Sequence, residues 1–244
     1  MLCACTKAKV HEYNYSKLAE LSAQGVPIAT CHAKHNSAAA KKAKPDEAGG
    51  LQSVLALCVG AVVQLTVNLW QEVGLVNGAR GTVVEIVYPT VPPVAPPAAT
   101  PAQPAFVLVR FDDYTGPSFK DGAAFANVVA ISPYTVTWSE GGGSGGGVNR
   151  HCSRAQLPLQ LCWAVTIHKS QGKTLDKAVI DIGEKEFSAG LTFVAFSRLR
   201  HIMHLLLEPV DFTRLESIGS GIGMLARRNE DGRLQEMSDS MMDI

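Results

Sequence analysis

No apolar run in this chain approaches the ~18–20 residues of a membrane-spanning helix. The opening Met1-Leu2-Cys3-Ala4-Cys5-Thr6-Lys7 also lacks the long apolar stretch of a secretory signal. Cysteine is sparse, with six in 244 residues (3, 5, 31, 58, 152 and 162) and no CxxC pair. That is too few for a disulfide framework, so reduced thiols of an intracellular protein are expected. Zinc would have to assemble distant pieces, such as Cys3 and Cys5 with His201 and His204. Ordinary thiols and imidazoles are the simpler reading. An excess of one charge is missing too: 22 Lys+Arg face 22 Asp+Glu. A polycationic nucleic-acid coat is thereby excluded, and any nucleic-acid site must be a local patch.

A further absence concerns nucleotide binding. Gln171-Gly172-Lys173-Thr174 ends like a P-loop, but GxxxxGK[ST] requires glycine at position 167, which is Ile167. The preceding segment has no glycine-rich run whose N–H groups could cradle phosphate. No Asp-Glu pair follows an apolar strand. Asp112-Asp113 follows Phe106–Phe111 but reads as a turn.

What is present suffices for a real core. Apolar residues make up 46% and charged residues 18%, which excludes disorder throughout, and the length allows one large domain or two small ones. Residues 7–24 have helical spacing in Val10, Tyr13, Leu18 and Leu21, stopped by Gly25-Val26-Pro27. Cys31 to Gly50 is Ala/Lys-rich without apolar periodicity and predicts a mobile, basic surface loop. Short β-rich runs follow at Ala61–Val67, Thr82–Val87, Phe106–Phe111, Asn127–Ile131 and Tyr134–Trp138, the pattern of a small antiparallel barrel. Two inserts interrupt them: Tyr88–Ala105, expected to be polyproline-like, and Gly141–Gly147, expected to be a flexible linker. After Cys152 the pattern turns to α/β. Buried strands are expected at Ala178–Ile182 and Met203–Leu207, with a helix at Phe187–Arg200 between them. Beyond Gly219 a poorly ordered tail is expected.

The string Ala164-Val165-Thr166-Ile167-His168-Lys169-Ser170-Gln171-Gly172-Lys173-Thr174-Leu175 is preceded by Arg154–Leu159. It is followed by Phe193-Val194-Ala195-Phe196-Ser197-Arg198. Together these resemble motifs V and VI of superfamily 1 DNA helicases, in the Pif-type and RecD-type 5′-to-3′ branch. Gly60–Asn68 and Gly74–Val83 are similar to the segment that opens the small SH3-like β domain inserted in the second RecA-like domain there. Thr6–Leu21, with Val10, Asn14 and Leu18, resembles the segment before it. The resemblance covers residues 5–25, 54–87, 106–138 and 152–212. The Lys-rich stretch and the two inserts depart from the family pattern.

The resemblance implies an α/β fold: a RecA-like, P-loop-NTPase-type second motor domain without Walker A, carrying an inserted SH3-like β-barrel. Residues 1–58 and 153–212 would form the motor domain, 59–152 the insert and 213–244 a flexible tail. The implied function is the C-terminal motor half of an ATP-dependent 5′-to-3′ DNA helicase. ATP and Mg²⁺ would be bound mainly by a first RecA-like lobe absent from this chain, which alone would be inactive. Implied partners are single-stranded DNA and that lobe in cis or trans, with no membrane, in the nucleus or mitochondrion of a eukaryote. Arg198 would be the catalytic arginine finger, since phosphoryl transfer needs positioning and charge neutralisation rather than covalent chemistry. Gln171, Gly172, Thr174 and Arg198 would face the nucleotide. Thr166, His168, Lys169 and Ser170 would face the strand, and no residue would bind metal. Two other readings stand beside this one. The chain could be a catalytically incompetent nucleic-acid-binding fragment, or an interaction module built on the barrel with the Pro-rich insert as ligand.

Overall fold

A computed structural model describes residues 1–4, 6–89, 103–140, 150–183, 190–209, 212–213, 216 and 222–242. Most of the Pro-rich insert, the whole Gly-rich insert and residues 184–189 lie outside the described residues. Along the chain the elements are β1 (Leu2–Ala4), α1 (Lys7–Ala23), β2 (Ala29–His32), β3 (Lys34–His35), α2 (Ala38–Lys42), β4 (Val54–Leu57) and β5 (Val62–Leu65). Then follow β6 (Arg80–Val87), β7 (Phe106–Phe111), β8 (Val128–Ile131), β9 (Tyr134–Glu140), β10 (Arg150–Gln156) and β11 (Leu159–Leu161). The last are β12 (Ala164–Thr166), α3 (Ile167–Ser170), β13 (Ala178–Asp181), α4 (Leu191–Phe196), β14 (Leu205–Leu207) and α5 (Ile222–Met242).

Contacts divide the chain into two units, residues 1–12 with 164–244, and residues 13–163. The sequence-based limits cut the chain differently. One reason is that 29–57 pairs with itself and with β10, not with the parallel sheet.

The first unit is built on a four-stranded sheet in the order β12-β1-β13-β14, with every pairing parallel. Strands of a parallel sheet are covered on both faces and read as short continuous apolar runs. Here Cys3, Ala4, Ala164, Val165, Ala178 and Ile180 are all buried. The apolar run at 178–182 thus gives β13 as expected. The run at 203–207 differs: it gives a short strand, β14, preceded by a single 3-10 turn, and it is not buried, since Met203 and Leu206 are exposed on the outermost strand of the sheet. Within the helix expected at 187–200, the structure has the shorter α4, Leu191–Phe196, with Gly190 before it at φ +82° and a turn and a β-bridge in place of helix after Phe196. The tail differs from expectation, because Ile222–Met242 is helical. Its sequence contains no proline and only two glycines, Gly223 and Gly232, and is rich in helix formers. Arg233 also pairs with Glu230 at 2.6 Å one turn away.

In the second unit, α1 ends in a Schellman motif. Gly25 takes φ +86° and its N–H donates to Ser22 O at 2.9 Å, while Val26 N–H donates to Leu21 O at 3.1 Å. A five-stranded antiparallel sheet follows, ordered β11-β5-β6-β7-β8. Its buried face gathers Val63, Leu65, Val83, Val107, Val109, Phe111, Ile131 and Leu159. Gly81 is required in it, because a Cβ there would lie 2.5 Å from Arg110 O. Among the described residues the expected barrel is not closed: β11 and β8 are the edges of this sheet. The chain turns out after Ile131 at Ser132-Pro133, and β9 joins β10 and β3 in a separate three-stranded sheet.

The Lys-rich segment also differs from expectation. Rather than a loop, residues 31–50 hold the end of β2, then β3 and α2. Asn36 Nδ2 donates to His151 O, and Ser153 N donates to Asn36 Oδ1, fixing the entry. Ser37 caps α2 by accepting from Ala40 N at 3.1 Å. Arg154 then clasps the far end. It is fully buried, and its guanidinium donates to Ala40 O and Ala43 O at 2.7 Å and to Leu51 O at 2.8 Å. The exposed carbonyls left at the end of a helix are satisfied here by a side chain over a hundred residues away.

Candidate functional site

The motif segment begins where β12 runs into α3. Thr166 still has extended backbone (φ −72°, ψ 149°), and its Oγ1 accepts from Lys169 N at 3.4 Å, an N-cap that starts the turn. The turn sorts its side chains by face. Ile167 and Ser170 point inward and are buried, whereas His168 and Lys169 are exposed. Ser170 therefore does not present its hydroxyl to a strand. It is fully buried, and its Oγ donates to Ile167 O at 2.7 Å. Thr166 is half-buried, with its hydroxyl engaged in the cap.

Beyond α3, Lys173 N donates to Ser170 O at 3.0 Å, which folds the chain back. Gly172 sits in this return with φ +79°. No atom lies within 4 Å of the position a Cβ would take, so the backbone angle and not crowding calls for glycine. Gln171 and Thr174 flank it and are exposed.

Next the two motifs meet. Leu175 is buried, and its N–H donates to Arg198 O at 2.8 Å, within a parallel bridge between Leu175 and Leu199. The arginine singled out by sequence is thus tied by backbone to the end of the Gly172–Thr174 turn. Arg198 is half-buried at the end of α4. Its Nε donates to Val194 O at 3.0 Å and its Nη2 to Ser197 Oγ at 2.8 Å. Among the described residues no carboxylate pairs with it, and Glu184 and Glu186 lie outside them. Among the described residues, neutral acceptors alone hold the guanidinium.

One pair at this end of the sheet was not found from sequence. Lys9 Nζ donates to Asp181 Oδ2 at 2.6 Å, and Asp181 Oδ1 accepts from Gly183 N at 2.8 Å. Ala4 is in register with Thr166 on one side and Asp181 on the other, so the three form one row across the sheet. The row lies at the carboxyl ends of parallel strands, where open α/β sheets place their ligands. Lys9 and Asp181 are 172 residues apart. The one local signal was an aspartate ending the apolar run Ala178-Val179-Ile180.

Residues 48–86, which carry β4, β5 and most of β6, match the family model of the DNA helicase Pif1, 2B domain. The chain is also 34% identical over 173 residues to ATP-dependent DNA helicase PIF7 of Trypanosoma brucei brucei, covering 68% of this chain and 17% of that protein. The chain is a relative of the Pif1-type helicases. Human ATP-dependent DNA helicase PIF1 is 37% identical over 161 residues, 66% of this chain and 20% of that protein. Among solved structures, the Pif1 helicase from Bacteroides in complex with ADP-AlF3 and ssDNA superposes with TM-score 0.60 at 25% identity. That match covers 87% of this chain and 41% of the Bacteroides chain. The chain therefore spans about a fifth of the length of the curated Pif1 relatives it matches.

Proposed function

We propose that this chain is the C-terminal motor portion of an ATP-dependent DNA helicase that moves 5′-to-3′ on single-stranded DNA. In this reading the parallel-sheet unit acts as a second RecA-like lobe, and the five-stranded sheet corresponds to an inserted, SH3-like 2B domain. The observation that carries it is the backbone bond from Leu175 to Arg198. It joins a candidate strand-contacting turn to a cation suited to phosphoryl chemistry, in a relative of proteins named ATP-dependent DNA helicases.

The residues present fit part of a nucleotide site. Arg198 offers a planar fork of donors with no carboxylate partner among the described residues, and Gln171, Gly172 and Thr174 form an exposed turn beside it. They do not fit the holding of a metal, since no three His, Cys, Asp or Glu side chains gather among the described residues. We therefore assign Mg²⁺ and most of the nucleotide contact to a first lobe that carries its own P-loop. Bound ATP supplies the phosphoryl group and its hydrolysis free energy. Arg198 neutralises the negative charge that develops during transfer. His168 and Lys169 meet strand phosphates, and Thr166 positions them through its cap. Ser170 acts from inside by holding the turn.

Phosphate release tests this reading, measured for the 244-residue chain alone and for the chain joined to a P-loop-bearing first lobe of a Pif1 relative. The chain alone should be inactive. The joined protein should turn over at ~1 s⁻¹ or faster, stimulated by single-stranded DNA. Robust turnover by the chain alone would overturn the assignment. So would a folded, DNA-binding fusion with no turnover, which would leave a binding module.

A further inference from the structure

The Lys-rich segment is held too firmly to be a passive linker, and among the described residues its charges go unanswered. Ser37, Asn36 and Arg154 fix α2 beside the edge of the β3-β10-β9 sheet. On α2, Ala40 faces inward, so Ala38, Lys41 and Lys42 share the outer face at helical spacing. Lys44 follows in the next turn, and Lys34 lies on β3. All four lysines are exposed. The ion pairs of the described residues involve none of them. The window from Lys34 to Lys44 contains no acidic residue. Asp46 and Glu47 come next, and Glu47 is already committed, accepting from Lys44 N and facing the buried Arg154 charge.

A local field results that the zero net charge of the whole chain conceals. His35, also on β3, feels it, because burial first and then the charges of Arg154 and Lys41 hold its imidazole below the ordinary range. The neighbouring outer face of the three-stranded sheet is neutral and rich in hydrogen-bonding groups, with Thr135, Thr137 and His151 exposed. Uncompensated lysines on fixed backbone beside a hydroxyl-lined face suit a chain of phosphates and sugars.

We propose that α2 and the adjoining sheet edge form a nucleic-acid backbone site, built on Lys34, Lys41, Lys42 and Lys44 and distinct from the motif V turn. It binds phosphates without regard to sequence. It does not depend on the helicase reading, because it uses none of the residues assigned to nucleotide or strand above.

The full chain is compared with a variant carrying Lys34→Gln, Lys41→Gln, Lys42→Gln and Lys44→Gln, using a labelled 20-nucleotide oligothymidylate. Fluorescence anisotropy is read between 50 and 200 mM salt. Each phosphate contact contributes roughly 0.7 to the slope of log affinity against log salt, so four contribute about 2.8, an approximately 50-fold weakening over this range. The variant should lose that dependence and keep its melting temperature, since among the described residues none of the four side chains makes a hydrogen bond or ion pair. A His168→Gln, Lys169→Gln variant, run in parallel, reports on the motif V turn. If that variant loses binding while the lysine variant is unchanged, the α2 site is overturned and the helicase reading stands. If the lysine variant alone weakens, the α2 site is supported and the motif V assignment fails. Absence of binding by the wild-type chain overturns the proposal. So does equal lysine-dependent capture of polyglutamate, which would show a site for acidic protein. Duplex competing as well as single strand supports a backbone site indifferent to strandedness.

Discussion

Replacing Arg198 with alanine, in the chain joined to a competent first lobe, separates a catalytic from a structural arginine. Structurally its loss is small. The guanidinium makes two bonds, to Val194 O and Ser197 Oγ, both local to the end of α4 and partly solvent-exposed. Hydrogen bonds that involve a charged group contribute about 1.5–3 kcal/mol each when buried and much less where solvent competes, as here, so about 1 kcal/mol in all is expected. In a protein of this size that lowers the Tm by roughly 2–4 °C. The catalytic loss should be much larger. In GTPases an arginine finger contributes roughly 10³–10⁵ in rate, or about 4–7 kcal/mol of barrier. ATP binding should survive, because the first lobe holds most of the nucleotide. Arg198→Lys should recover little, since an ammonium lacks the planar fork. Turnover, nucleotide affinity and melting are measured on the same preparations. A well-folded Arg198→Ala protein with unchanged turnover would refute the finger. So would a loss of turnover that merely tracked a large fall in Tm.

Two further outcomes follow from the second unit. Arg154→Met should destabilise it by at least ~3 kcal/mol, because the carbonyls of Ala40, Ala43 and Leu51 lose their buried donor. Urea unfolding checks this, and a change below about 1 kcal/mol would show that the clasp is dispensable. His35 is held below the ordinary imidazole value by burial, then by Arg154 and Lys41. The folded state therefore binds fewer protons than the unfolded one in that window. This contribution to stability is complete above pH ~6.5 and is lost as pH falls from there through the lower folded value. Urea midpoints from pH 8 to pH 5 should fall in the wild type and flatten in His35→Gln; parallel profiles would remove His35 as the cause.

Elements whose chemistry is local were legible in the sequence. Helix α1 announced itself by Val10, Tyr13, Leu18 and Leu21 and by the glycine that ends it. β7 was bounded as found. What escaped depends on partners far along the chain. Nothing in Ala38-Ala39-Ala40-Lys41-Lys42 signals a helix firmly docked on the protein, because the group that secures it is Arg154. The open sheet escaped for the same reason. Alternation in β8 and β9 predicts strands, but not that β9 will pair with β10 instead of completing a barrel. α5 was read as tail because its charges show no apolar face, although its propensities suffice. In the site, Gly172 and Arg198 were named from the motif, yet the bond from Leu175 N–H to Arg198 O was not. Ser170 was placed with the strand-facing residues because spacing alone cannot tell the inner from the outer side of a single turn.

The bond between Leu175 and Arg198 is made of main-chain atoms, and this shapes what mutation can reach. A tether of amide and carbonyl is indifferent to which side chains hang beside it. Alanine scanning would remove Leu175 packing or the Arg198 charge and leave the tether in place. Screens that read only side-chain changes will then report two independent positions where there is one mechanical part. Proline at 175, or an ester in place of its amide, is the kind of change that cuts the connection. Drift in sequence at this junction can therefore be extensive while displacement of one segment is still passed to the other.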